Sequence, residues 1–168
     1  MSRKAQARRR RAGVAQKFSR ILCVTDSPTV HQINLKKGLK QMKTILVDAV
    51  STFVIEGEGV YKPLYDLLEQ YPNKKIILTN ANDEQIPLFG LVNLPYEMFT
   101  LKHNPDKVDP RYFDKMLEHF NLKASDVVYF EHSLEAVKSA QSVGITSYYY
   151  DAEAKDLSSL KAFLDENA

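Results

Sequence analysis

The stretch Lys43-Thr-Ile-Leu-Val-Asp-Ala-Val-Ser-Thr52 decides the fold of this chain. Aliphatic and β-favouring residues run without interruption into an aspartate, and two hydroxyl residues follow shortly after it. Such a short apolar run is typical of a parallel strand that is buried on both faces. We therefore predict a strand over 43–48. Asp48 then either lies at the mouth of an open α/β sheet, where such folds keep their sites, or caps an ordinary turn or helix.

The composition is that of a soluble globular protein. At 168 residues, with 44% hydrophobic and 26% charged residues, the chain is about one domain long. Its one cysteine, Cys23, excludes an internal disulfide and a cysteine-rich zinc site. No apolar run approaches the roughly 18 residues that a transmembrane helix needs. We expect a cytoplasmic protein with no membrane partner.

Basic residues are concentrated at the front of the chain. Residues 1–41 hold 11 Lys and Arg against one acid, whereas residues 42–168 hold 12 against 20 acids. Because like charges repel, we predict that 1–41 is a flexible extension and that 42–168 is the folded domain. Four interpretations of the extension stay open: a solvated tail, an arm contacting nucleic acid through residues 1–20, an organellar targeting segment, or an upstream extension of the reading frame.

Strand and helix patterns alternate from residue 42 onward. Apolar runs predict four further strands, over 74–78, 97–101, 126–130 and 145–150. Helical spacing predicts helices over 60–71, 83–88 and 110–120, from Ser133 to Gly144, and around Leu157, Leu160 and Leu164. This alternation indicates a three-layer, Rossmann-like α/β domain with a mostly parallel five-stranded sheet.

Polar side chains follow the predicted strands at four places. They are Asp48, Thr79 with Asn80, Lys107 ahead of a helix, and Glu131 with His132. Together these groups suit phosphoryl transfer. A carboxylate can attack and form a covalent intermediate, and a hydroxyl and an ammonium can stabilise negative charge. A second carboxylate can hold Mg²⁺, which prefers oxygen ligands.

These residues stand in four ordered motifs that resemble those of the haloacid dehalogenase-like (HAD) superfamily across residues 43–168. Asp48-Ala-Val-Ser-Thr52 is similar to the first motif, Asp-x-Asp-x-Thr, and Ile76-Ile-Leu-Thr-Asn80 is similar to the second. Lys107-Val-Asp-Pro-Arg-Tyr112 resembles the third. The fourth motif, with acids before a serine and a helix closing in Ala-x-x-x-Gly, resembles Glu131 to Gly144.

The resemblance implies roles for the site residues. Asp48 would be the nucleophile, Thr79 would contact the substrate phosphate or carboxylate, and Lys107 would neutralise charge on the intermediate. The expected catalytic residues are thus Asp48, Thr79 and Lys107, and the expected substrate-binding residues are Thr79, Asn80 and Lys107. Lys102 is the alternative to Lys107 as the site lysine.

The resemblance also implies Mg²⁺, held by Asp48, the backbone carbonyl of Val50 and Glu131. Family phosphatases carry a proton-transferring aspartate at position 50, and losing such a group costs about 10²–10⁴ in rate. In the fourth motif, His132 stands where one register of the family places an acid, and position 136 is alanine. Because histidine is a poorer partner for Mg²⁺ than a carboxylate, Glu131 is the first-choice acid.

The spacing leaves no room for a cap domain. Only 26 residues separate Thr52 from Thr79, and 26 separate Asn80 from Lys107. By resemblance, a capless site admits large substrates or closes by oligomerisation. The leading interpretation is a Mg²⁺-dependent phosphatase acting on a small phosphorylated substrate. The alternative is a non-catalytic HAD-like domain that binds a ligand or partner, brought to nucleic acid by residues 1–20.

Overall fold

The computed structural model describes residues 42–168 of the chain. The expectations for residues 1–41, including the arm over residues 1–20, lie outside the described residues. No helix of the described part has both the length and the apolar character that crossing a bilayer requires.

Seven strands and five α-helices form the described residues. In chain order they are β1 (Thr44–Asp48), β2 (Val54–Ile55), β3 (Gly59–Val60), α1 (Lys62–Leu68), β4 (Lys75–Thr79), α2 (Gln85–Leu88), β5 (Glu97–Thr100), α3 (Arg111–Phe120), β6 (Val127–Glu131), α4 (Leu134–Ser142), β7 (Thr146–Tyr149) and α5 (Leu157–Asn167). A 3₁₀ turn, Ala124–Asp126, precedes β6.

The main sheet is five-stranded and parallel, in the order β5-β4-β1-β6-β7. This confirms the predicted sheet. The chain runs outward from β1 through β4 to β5 and then returns to the other side of β1 for β6 and β7. The carboxyl ends of β4, β1 and β6 therefore lie side by side where the strand order reverses, which is the usual place of a site in open α/β sheets.

Helices cover both faces of the sheet. Because side chains alternate along a strand, Ile45 and Val47 face one helical layer and Leu46 faces the other. The first layer is contributed by Leu64 and Leu68 of α1 and by Leu160 and Leu164 of α5. The second is contributed by Tyr112, Phe113 and Met116 of α3 and by Ala140 of α4. The three-layer, Rossmann-like prediction is confirmed.

The segment before α1 differs from the prediction. The expected helix over 60–71 is shorter, Lys62–Leu68, and Val60 pairs with Val54 in the two-stranded β2–β3 sheet. Val60 fits helical spacing by coincidence, and strands of two residues are too short to show a pattern. The other elements agree with the predicted ranges to within about two residues, the usual uncertainty of element ends.

Leu46 tests the central strand. It is fully buried on β1, so Leu46→Ala should lower the free energy of unfolding by about 2–5 kcal/mol through lost burial and a residual cavity. Urea unfolding measures this loss. Leu88→Ala is the control, because Leu88 is 74% exposed and should change stability by less than about 0.5 kcal/mol. Equal effects of the two changes would contradict the assigned core.

Candidate active site

Asp48 is buried at the carboxyl end of the central strand. The chain turns sharply after it, with Ser51 in the left-handed region and the Phe53 N–H donating to the Ala49 carbonyl at 2.9 Å. This turn brings Thr52 back over the strand end, where its hydroxyl donates to Asp48 Oδ2 at 2.6 Å. Asp48 is therefore held by its own loop, whereas its second oxygen, Oδ1, faces groups from elsewhere in the chain.

Lys107 supplies the cation that faces Asp48. Its Nζ contacts Asp48 Oδ1 and lies 2.6 Å from Glu131 Oε2. Burial lowers the pKa of this ammonium, but the two carboxylates outweigh burial and hold the pKa above its ordinary value. Lys102 instead donates to Asp83 at 2.6 Å with its side chain half exposed. Of the two candidate lysines, Lys107 is the one that reaches Asp48.

Glu131 ends β6, the strand next to β1, and is fully buried. Its Oε2 accepts from the Tyr129 hydroxyl as well as from Lys107, and its Oε1 accepts from the Ser133 N–H at 2.9 Å. Burial acts to raise the pKa of this carboxyl, but Lys107 and the hydrogen bonds hold it well below its usual range. Glu131 is thus a buried carboxylate whose charge is compensated by its surroundings.

His132 lies between the two carboxylates. Its Nδ1 is 2.6 Å from Asp48 Oδ2 and 3.0 Å from Glu131 Oε1. Hydrogen bonds to Asp48 and then to Glu131 raise the pKa of the imidazole to about 10, against the opposing effect of burial. At neutral pH the ring is therefore a cation.

Thr79 and Asn80 end β4 and line the wall of the site. The Thr79 hydroxyl oxygen accepts from the Ala81 N–H at 3.2 Å, which leaves its O–H free to donate to an anion. Asn80 Oδ1 accepts from the Lys107 N–H at 2.9 Å and so fixes the loop that carries the lysine. Thr79 thus faces the cavity, whereas Asn80 positions Lys107.

These residues open onto a cavity of about 310 Å³. All the residues predicted for the site border it: Asp48, Val50, Thr79, Asn80, Lys107 and Glu131. The remaining wall is largely apolar and includes Phe89, Val108 and Ala136. The cavity can therefore take an anionic group at the carboxylate–lysine end and an apolar group beside it.

Sequence reasoning missed two groups at the site. Tyr129 was not predicted to contact Glu131, although residues two apart on a strand point to the same face and that spacing could have shown it. His103 borders the cavity, with Nε2 2.6 Å from Gln85 Oε1 and Nδ1 2.8 Å from Asp106 Oδ1. It is an ordinary loop histidine in sequence, so no pattern marks it.

Three side chains meet the distance requirement of a metal site. Ligand atoms of Asp48, Glu131 and His132 all lie within 4.8 Å of one another. Mg²⁺, however, takes about six oxygen ligands, and here an imidazole nitrogen lies between the carboxylates. Each of the four carboxylate oxygens also accepts at least one contact from a protein donor. In this arrangement the donor set does not fit Mg²⁺.

Comparison with known proteins identifies the fold. No family model and no curated protein match the chain. A HAD-family enzyme from Bacteroides thetaiotaomicron, solved with magnesium and inorganic phosphate, is similar with a TM-score of 0.57 and 14% identity over 71% of this chain and 98% of that one. The core domain of a protein from Streptococcus pneumoniae, named as a candidate phosphoglycolate phosphatase, has a TM-score of 0.52 and 14% identity, covering 75% and 97%.

A HAD-superfamily hydrolase from Geobacter sulfurreducens is also similar, with a TM-score of 0.51 and 12% identity over 65% of this chain and 89% of that one. Identities this low establish the fold and leave the chemistry to be argued from this chain's own residues. The predicted HAD-like fold is confirmed.

The pKa of His132 predicts a pH-dependent stability. Because its folded pKa of about 10 lies above the ordinary value of 6.5, its contribution is complete below pH 6.5 and is lost as pH rises toward 10. The free energy of unfolding of the wild type should therefore exceed that of His132→Asn by an amount that shrinks between pH 6 and pH 10. Urea unfolding at several pH values checks this. A constant difference would contradict the assigned ion pairs.

Proposed function

We propose that this chain is a HAD-like hydrolase that removes phosphate from a small phosphorylated substrate, with Asp48 as the nucleophile. One observation carries the proposal: Asp48 is buried at the edge of the sheet, in contact with Lys107, beside a cavity. The fold shared with HAD-family enzymes supports it, since the Bacteroides thetaiotaomicron enzyme is described in complex with inorganic phosphate.

Asp48 offers one oxygen for attack. Among the described contacts, Oδ2 accepts from Thr52 and lies next to His132, whereas the one partner of Oδ1 is Lys107. A carboxylate oxygen has two lone pairs, so Oδ1 keeps one that is not used. Lys107 also lies where it can neutralise charge on a phosphoryl group that approaches Oδ1. The reacting atom and its stabilising cation are thus preassembled.

The proposed reaction has two displacements. Asp48 Oδ1 forms a bond to phosphorus, and the bond from phosphorus to the leaving oxygen breaks with its electron pair remaining on that oxygen. Water then attacks phosphorus, the bond to Asp48 Oδ1 breaks, and inorganic phosphate is released. The leaving oxygen gains one proton and the attacking water loses one, so the overall reaction is hydrolysis of a phosphate ester.

Val50 sets the expected limits of this activity. Its side chain borders the cavity but cannot transfer a proton to the leaving oxygen or from the attacking water. The leaving oxygen must then take its proton from solvent. We propose an open, capless site for this exchange, which the short connections support: 49–61 forms a small hairpin and 80–110 contains one four-residue helix beside β5.

The Mg²⁺ expected from the family resemblance has no part in this proposal. Neighbouring structures contain magnesium, but His132 lies between the two carboxylates of this chain. The roles given to Asp48, Thr79 and Lys107 do not depend on the identity of the cation beside Glu131.

Asp48→Asn tests the nucleophile. The wild type should release phosphate from an aryl phosphate such as p-nitrophenyl phosphate, and the variant should lose this activity by more than about 10³-fold, as removal of a nucleophile does. Asp114→Asn, an exposed change on α3, is the control and should keep wild-type activity. Equal rates for wild type and Asp48→Asn would refute the proposed function.

Val50→Asp tests the missing proton transfer. A carboxyl group at this position should raise turnover by about 10²-fold or more, because general acid–base catalysis contributes about 10²–10⁴. Val50→Asn is the matched control, since it has a similar size and polarity but cannot transfer the proton. If the two variants turn over substrate equally fast, proton transfer is not what the site lacks.

A further inference from the structure

The oxygens of Asp48 and Glu131 divide into two pairs. Asp48 Oδ1 and Glu131 Oε2 both contact the ammonium of Lys107. Asp48 Oδ2 and Glu131 Oε1 both lie beside His132 Nδ1, at 2.6 and 3.0 Å. Each pair of oxygens from the two strands is therefore bridged by one nitrogen, first a lysine and then a histidine.

We propose that His132 takes the place of a divalent cation between Asp48 and Glu131, so that this site binds its anionic substrate without a metal ion. The proposal deepens the proposed function and rests on it for the substrate class. The position of His132, and its effect on metal binding, can be tested without any enzymatic activity.

The bridging nitrogen must carry a proton. Both of its neighbours are carboxylate oxygens, which accept and do not donate, so a close approach to both requires an N–H at Nδ1. Either the neutral Nδ1–H tautomer or the imidazolium satisfies this requirement. A metal ion at the same place would have to displace the ring from both oxygens.

The charges around the carboxylates are also balanced. Two carboxylates face the ammonium of Lys107 and the imidazole of His132, whose raised pKa makes it a cation at neutral pH. A divalent ion added here would approach two positive groups at short range, which is unfavourable. The site as built therefore compensates its own buried acids.

The backbone fixes His132 in this position. It lies between Glu131, the last residue of β6, and Ser133, the N-cap of α4. The Ser133 N–H donates to Glu131 Oε1 at 2.9 Å, and the Ser133 hydroxyl accepts from the Ala136 N–H at 3.4 Å. The ring is thus attached to a strand–helix junction that is anchored on both sides.

The other ring nitrogen is turned to a different use. Nε2 of His132 has no partner among the described residues, and the side chain is 36% exposed on the wall of the cavity. An N–H there can donate to an anionic oxygen of the substrate. His132 then contributes both functions of a bridging cation: it neutralises the carboxylates on one side and binds the substrate's charge on the other.

Metal titration of the purified domain-containing chain tests the proposal. Isothermal titration calorimetry with Mg²⁺ or Mn²⁺ should show no saturable binding to the wild type up to about ten millimolar, above the range of weak protein sites. His132→Asp should create a site with at least about tenfold tighter binding, because it supplies a carboxylate oxygen. His103→Asp is the matched control: it changes the other histidine of the cavity and should create no site.

Saturable binding of either ion to the wild type would overturn the proposal, whatever the variants do. Failure of a folded His132→Asp to bind would overturn it as well, because His132 would then not be what replaces the cation. Folding of each variant is checked by urea unfolding, and the wild-type titration decides if His132→Asp does not fold. Phosphate release measured with and without a chelator separates the two proposals. An inactive wild type that also binds no metal would refute the proposed function alone.

Discussion

The buried ion pair network of Lys107 with Asp48 and Glu131 is the constraint on which the site depends. Pairing of β1 with β6 brings two carboxylates together at the sheet edge, both almost completely buried. Two buried like charges at this distance are strongly unfavourable unless a cation lies between them. Removing one partner of a buried ion pair costs about 3–5 kcal/mol, so the strand ends and the lysine loop are energetically linked.

The surrounding hydrogen bonds hold this network in place. Asn80 fixes the backbone of Lys107, and Tyr129 donates to Glu131. The buried Tyr112 hydroxyl lies 2.9 Å from the Thr79 carbonyl and 3.2 Å from the Phe99 carbonyl, so α3 is attached to the ends of β4 and β5. Groups held by packing and hydrogen bonds need little rearrangement when charge develops, which is what electrostatic catalysis requires.

Most of the fold could be predicted from the sequence, because each parallel strand is a short apolar run and each long helix shows a regular apolar face. The β2–β3 hairpin could not be predicted, since strands of two residues have no period. The candidate site was predictable in part. Asp48, Thr79 and Glu131 follow strands directly, but the choice between Lys102 and Lys107 depended on how the loop folds back.

The sequence by itself determined the layered α/β fold and the presence of acids at two strand ends, because both follow from local patterns. Only the tertiary structure decided what lies between those acids. His132 and Asp48 are 84 residues apart in the chain and meet because β6 pairs with β1. A histidine after a strand has no marked position in sequence, and its ring becomes a bridging group only when two strands place a carboxylate on each side of it.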